Sequence, residues 1–253
     1  MLTGPPVQRH WLDRYANNHH AWEREDGVGN SLFKRPVGLV EGSFDADGVF
    51  HGGRADLHST LTLEARSALS EAQLRKRIIQ AWAILRLQHP LLHSHVQGDL
   101  DAGQQRWFVV RQPADAAEAV TDAENSVISL QSRSDVDVQD LLKHVLNTGR
   151  IIQPSKSLSR LFIFPLQPLP NGNLSLRLMQ ISAHMITDGL SSYNSTSHFI
   201  DLLNQTHTEL EVNLRESVLT ARDPSQLPPA QEDLYPQVPG NLARQRWFWV
   251  RKS

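Results

Sequence analysis

The run Ile181-Ser182-Ala183-His184-Met185-Ile186-Thr187-Asp188-Gly189-Leu190 sets a histidine, an aspartate four positions on and a glycine at the end of an alternating segment. Imidazole is the side chain whose ordinary pKa lies nearest neutrality. An oriented copy can therefore take a proton from a hydroxyl or an amine without first being charged. Leu174, Leu176 and Leu178 alternate with Ser175, Arg177 and Met179, a period of two that predicts a strand with one apolar face. His184 then stands where a rigid element stops. Gly189 and the apolar spacing beyond it predict a turn into a helix, so Asp188 is expected to hold the loop. The competing reading is a structural, hydrogen-bonded histidine, because a chain with 12 His meets a His-x-x-x-Asp spacing by chance.

Composition narrows what this histidine could serve. The chain has 253 residues, enough for one large or two small domains with a real core. It has no cysteine, which excludes disulfides, thiolate zinc sites and a cysteine nucleophile, and points to a reducing, cytoplasmic compartment. With 25 basic and 27 acidic residues and a net charge of -2, no nucleic-acid partner is expected. Apolar runs such as Leu161-Phe162-Ile163-Phe164 are too short to span a bilayer, and Met1-Leu2-Thr3-Gly4-Pro5-Pro6 lacks a signal-peptide pattern, so no membrane association is expected either. A Ser-His-Asp hydrolase is disfavoured because the chain has no Gly-x-Ser-x-Gly elbow.

The elements that must position the histidine are legible in part. Residues 1–56 are rich in Gly, Asn, His and Asp, with Trp11, Tyr15, Trp22 and Phe33 as anchors, and read as an extended lead-in draped over a core. Leu57 to Glu64 alternates as a strand. Ser70 and Gln73 form a capping-box pair ahead of Leu74, Ile78, Trp82 and Leu85, a helical stripe that His89-Pro90 stops. Leu91–Val96 and Arg106–Arg111 read as a hairpin about Gln97-Gly98-Asp99. A helix near Val136–Asn147 presents Val138, Leu141, Leu142 and Val145, with Gly149 as its left-handed end. Leu161–Leu166 and Leu174–Ala183 are strands joined by Pro170-Asn171-Gly172. The helix after Gly189 carries Leu190, Tyr193, Ser197, Ile200 and Leu203, with Ser191 or Ser192 capping it. Residues 57–222 make one subdomain, and residues 223–253 a Pro-rich connector with an aromatic Trp247-Phe248-Trp249 run, surface that usually marks a partner or a continuation.

Strand, helix with Ala81-Trp82-Ala83-Ile84-Leu85-Arg86 and His89-Pro90-Leu91-Leu92, strands, helix, hairpin and His184-x-x-x-Asp188-Gly189 together resemble the chloramphenicol-acetyltransferase-like superfamily. Within it the chain looks most like fungal O-acetyltransferases of secondary metabolism related to trichothecene 15-O-acetyltransferase. The resemblance implies an α/β two-layer sandwich, with a mixed or antiparallel sheet and helices on one face. It implies that His184 is the general base, that Asp188 is a scaffold residue paired with an arginine away from the tunnel, and that Gly189 leaves room for substrate. Ala183 stands where condensation domains carry a first histidine, which favours the acyl-CoA:alcohol branches. His93 stands where they tend to carry an arginine.

Most such relatives hold two similar subdomains with a tunnel between them, and this chain covers about one. The expected function is acyl-CoA-dependent O-acyl transfer, most simply acetyl transfer, to a hydroxyl of a small secondary metabolite. Acyl-CoA is then a co-substrate, no bound cofactor or metal is needed, and a second subdomain or a homo-oligomer completes the site. The alternative is a truncated, non-catalytic half-domain that acts as a binding or interaction module.

Overall fold

A computed structural model describes residues 21–26, 31–66, 69–100, 102–131 and 136–234. Trp11, Tyr15 and the Trp247-Phe248-Trp249 run lie outside the described residues, so the expectations placed on them do too. Two sheets form. The larger has five strands in the order β3 (Leu57–Ala65), β9 (Leu174–Ser182), β7 (Ser159–Ile163) and β6 (Val127–Ser129), with β8 (Gln167–Pro168) pairing the start of β9. Its pairs are antiparallel except β6 with β7, so the sheet is mixed. The smaller has four strands in the order β1 (Glu23–Asp26), β2 (Ser31–Pro36), β5 (Trp107–Arg111) and β4 (His95–Gln97).

Helices α2 (Glu71–Gln88), α4 (Ala116–Glu124), α6 (Gly189–Asn204) and α7 (His207–Thr220) share one core with a single face of the larger sheet, the expected α/β two-layer sandwich. Helix α2 begins as its sequence dictates. Ser70 Oγ accepts the Gln73 N–H at 3.3 Å and the Gln73 side chain accepts the Ser70 N–H at 2.9 Å. Leu74, Ile78, Trp82 and Leu85 are all buried against Leu161, Leu176 and Leu178. Trp82 places its indole N–H on Ser126 Oγ at 2.8 Å, which satisfies the one polar atom of the largest buried side chain.

Strand β9 departs from the expected single apolar face. Leu176 and Leu178 point into the helical core, but Met179 and Ile181 on the other face are buried against Phe108, Phe162 and Val145. A central strand covered from both sides needs apolar residues on both, and the short alternation seen from the sequence covered only its first half. Two smaller corrections follow the same logic of context. Pro90–His93 forms a helical turn, α3, before β4, so the predicted hairpin is shorter than expected. Helix α5 (Val138–Asn147) buries Val145 and half-buries Val138, Leu141 and Leu142, and Thr148 rather than a left-handed Gly149 caps it. The Pro170-Asn171-Gly172 turn forms where predicted, with Gly172 at φ +82°.

The largest correction concerns the lead-in. Its described part is not extended but folds into β1, β2 and a helix, α1 (Leu39–Phe50). Glu41, Asp45 and Gly48 form the buried face of α1. The buried Arg35 guanidinium grips Glu41 through two bonds of 2.9 and 2.8 Å, and Arg106 grips Asp45 at 2.7 and 3.0 Å. Arg35 also lies 5.1 Å from the Trp22 ring centroid and 5.0 Å from that of Phe108. Hydrophobic periodicity could not reveal α1, because the stripe that holds it down is ionic. The start of the connector packs on the same helix. The Val40 N–H donates to Glu232 Oε1 at 2.7 Å, the Trp22 indole N–H to the Pro228 carbonyl at 2.8 Å, and Ala230 is fully buried. The described part of the connector thus forms two short 3-10 turns, Pro224–Gln226 and Gln231–Leu234.

Candidate active site

Strand β9 ends at Ser182, and His184–Ile186 turns as one 3-10 step before α6 begins. The Ala183 N–H still reaches back to the Leu158 carbonyl at 2.9 Å, so the turn hangs directly on the last rung of the sheet. His184 is half-buried, and its ring stacks on Phe44 of α1 with centroids 4.1 Å apart and planes inclined by 20°. His184 Nδ1 lies 3.0 Å from the Thr187 carbonyl oxygen. A carbonyl only accepts, so this bond requires the proton on Nδ1. In the neutral ring the lone pair is then on Nε2, which has no partner among the described residues. A stacked face and a fixed tautomer together aim one basic nitrogen outward. The sequence carried no signal for Phe44, because nothing in a Gly- and Asp-rich segment announced the helix that presents it.

Asp188 does not pair with an arginine among the described residues. It is exposed and caps α6, its Oδ1 accepting the Ser191 N–H at 2.7 Å. The same contacts with Ser191, backbone first, hold its carboxyl below the usual range. The expected roles are therefore exchanged: Asp188 is the cap, and Ser191 supplies the N–H. Ser192 turns inward to share a hydroxyl hydrogen bond with Ser59 at 2.8 Å. Removing an N-cap costs about 0.5–2 kcal/mol, whereas asparagine caps as well as aspartate. Asp188→Ala is expected to lose that amount in chemical denaturation and Asp188→Asn only a small part of it. A loss of 3–5 kcal/mol in both would instead reveal a charged partner.

The buried face of α6 is Ser192, Ser195, Phe199 and Leu202, about one position round from the predicted stripe. Small serines let the helix lie close to β3. The displaced apolar side chains emerge beside the sheet edge, with Leu190 and Tyr193 70% and 71% exposed. Between α6 and the edge strand β3 lies an open groove of about 510 Å³. Leu57, Leu61 and Ile200 give it apolar walls, while Ser59, Thr196 and Ser197 line it with hydroxyls. Thr196 Oγ1 is buried without a hydrogen-bond partner. Gly189 borders the groove, and a Cβ there would meet nothing within 4 Å. The described residues contain no group of three or more His, Asp or Glu placed to hold a metal, and no helix long and apolar enough to cross a membrane.

His93 lies far from Asp188 in role. Half-buried, it contacts the Arg111 carbonyl through Nε2 at 2.8 Å. Burial first, and the nearby Arg86 charge second, push its pKa down to about 3. The folded protein thus keeps His93 neutral, while the unfolded chain takes up a proton below the ordinary value near 6.5. Stability is complete above that value and falls as the pH drops from about 6.5 toward 3. The loss between pH 7 and pH 5 is expected to reach about 2 kcal/mol. His89 and His95 are lowered by burial in the same sense, so the comparison must be between proteins. His93→Gln, measured by urea unfolding at both pH values, should lose about 2 kcal/mol less than wild type. Equal acid losses would show that His93 does not carry the effect.

No protein-family model matches the chain, and no curated protein sequence does. Among solved structures, trichothecene 15-O-acetyltransferase from Fusarium sporotrichioides is similar at 15% identity and a TM-score of 0.55, over 73% of this chain and 37% of that one. This chain therefore spans just over a third of that acetyltransferase. A chloramphenicol acetyltransferase is similar at 14% identity and a TM-score of 0.34, over 68% of this chain and 98% of that one. A dihydrolipoamide acetyltransferase from Azotobacter vinelandii is similar at 16% identity and a TM-score of 0.35, over 80% and 97%. At these identities the likeness is one of fold, and the fold of the trichothecene acetyltransferase is the one this chain shares over 73% of its length.

Proposed function

We propose that the chain is an acyltransferase subdomain that moves an acyl group, most simply acetyl, from an acyl-CoA to a hydroxyl of a small secondary metabolite. The observation that carries this reading is His184, with its proton fixed on Nδ1 by the Thr187 carbonyl and its ring held by Phe44. Nε2 takes the proton of the acceptor hydroxyl, and the oxygen attacks the thioester carbonyl carbon. The tetrahedral adduct collapses by breaking the C–S bond, and the departing thiolate recovers the proton from Nε2, so that ester and free CoA leave and the ring is unchanged. The groove beside Gly189, whose lining does not include His184, suits an acceptor that is apolar in body and hydroxylated at its edges, since its walls are leucine and isoleucine and its rim serine and threonine. Asp188 acts on this chemistry only through the start of α6. Residues 57–222, with Phe44 of α1 against the His184 ring, form the working subdomain on this reading, in a cytoplasmic enzyme of fungal, mycotoxin-type metabolism, with a second subdomain or a second copy as the opposite wall.

One observation favours the alternative of a half-domain that binds without catalysing: this chain matches 37% of the similar acetyltransferase. Thiol release from acetyl-CoA, followed with a panel of hydroxylated terpenoids while sedimentation reports the oligomeric state, separates the two. Release that depends on an alcohol supports the enzyme. Binding of alcohol or acyl-CoA with no release, in monomer and oligomer alike, supports the module.

A further inference from the structure

A second cleft, of about 250 Å³, opens between the ends of α2 and α4, the β4–β5 hairpin and the segment before β7. Arg86, Arg111, Lys156 and Arg160 line it, together with His93 and His95. Asp122 is the carboxylate in the lining, and it is engaged with Arg111, as is Glu118. Both of these carboxylates are on Arg111, and the other three cations have no carboxylate in ion-pair contact among the described residues. Arg86 is 5% exposed, yet its guanidinium meets only carbonyls, Leu92 at 3.2 Å and Asp122 at 2.8 Å. Arg160 donates to the Asn125 carbonyl at 3.0 Å, and its Nε is buried with no partner. Lys156 is exposed and has no ion pair among the described residues.

A buried guanidinium without a carboxylate is costly unless something compensates its charge. Burial lowers the Arg86 pKa to about 10, and the nearby Asp122 charge offsets that only in part, while the Arg160 charge adds to it. Two planar forks and one ammonium around a small cleft match an oxyanion with several acceptor atoms and two negative charges. We propose that this cleft binds a phosphate group, held by Arg86, Arg160 and Lys156. The cleft shares no lining residue with the groove beside Gly189, so the site stands whether or not His184 is a catalytic base.

The test is titration calorimetry of the full chain with inorganic phosphate at constant ionic strength, beside Arg160→Gln and Lys156→Gln. Wild type should show saturable binding, weakened about tenfold in each variant with the circular dichroism spectrum unchanged, as loss of one charge-assisted hydrogen bond implies. Absence of saturable binding in wild type overturns the proposal. So does unchanged affinity in the variants; Lys156 is exposed, so its variant remains informative should Arg160→Gln unfold. Competition by CoA but not by dephospho-CoA would support the site as one for the 3′-phosphate of the co-substrate. Competition by neither would support it as a site for free phosphate.

Discussion

Replacing His184 by alanine is expected to lower alcohol-dependent thiol release by about 10²–10⁴-fold while leaving the fold intact. The magnitude follows from what the ring does on the proposed mechanism. It removes the acceptor proton as the C–O bond forms, and a poorly acidic alcohol is a weak nucleophile without that help. Stability should change little, because His184 is half-buried and its bonding within the protein is one hydrogen bond and one stacked face. The measurement is single-site: kcat with acetyl-CoA and the best acceptor, beside a thermal melt. His184→Ala with near wild-type turnover would remove the base from the mechanism. His184→Gln is a useful second variant, because it can keep a donor for the Thr187 carbonyl yet offers no basic nitrogen. If glutamine restores turnover, His184 is structural.

Glu41→Gln is expected to cost about 3–5 kcal/mol, because the buried Arg35 guanidinium loses the charged carboxylate that accepts two of its hydrogen bonds. Arg35 and Glu41 are 0% and 2% exposed, so solvent cannot compensate the loss. For a chain of this size the melting temperature should fall by roughly 6–20 °C. The consequence reaches the site through α1, which carries both Glu41 and Phe44. A replacement of the whole pair, Arg35→Met with Glu41→Leu, should recover part of the stability, since buried ion pairs can be exchanged for apolar ones at small net cost, but the Gly38 and Gln231 N–H groups that Glu41 also accepts would lose their acceptor. Denaturant unfolding of the single and double variants decides it. A single variant within 1 kcal/mol of wild type would mean that Arg35 finds another partner and that Glu41 does not anchor the helix.

What the sequence determined by itself was local, where short-range chemistry is decisive. The Ser70/Gln73 capping box, the Leu74–Leu85 stripe, the Pro170-Asn171-Gly172 turn and the strand before His184 depend on residues within a few positions of one another. The resemblance carried by Ala81–Leu92 and His184–Gly189 extended this to the fold class, and the two-layer sandwich is the observed architecture. Tertiary structure alone decided the rest. Helix α1 exists because Arg35 of β2 and Arg106, just before β5, neutralise its buried carboxylates, and no apolar pattern records that. The buried face of α6 is set by how closely Ser192 can approach Ser59, not by where its largest apolar residues fall. Asp188 became an exposed cap because no arginine among the described residues lies within reach, and a distance of that kind is written nowhere in the chain. His184 was visible as a residue. Its tautomer and its stacking partner come from Thr187 and Phe44, one local and one 140 positions away, and only folding brings the second to it.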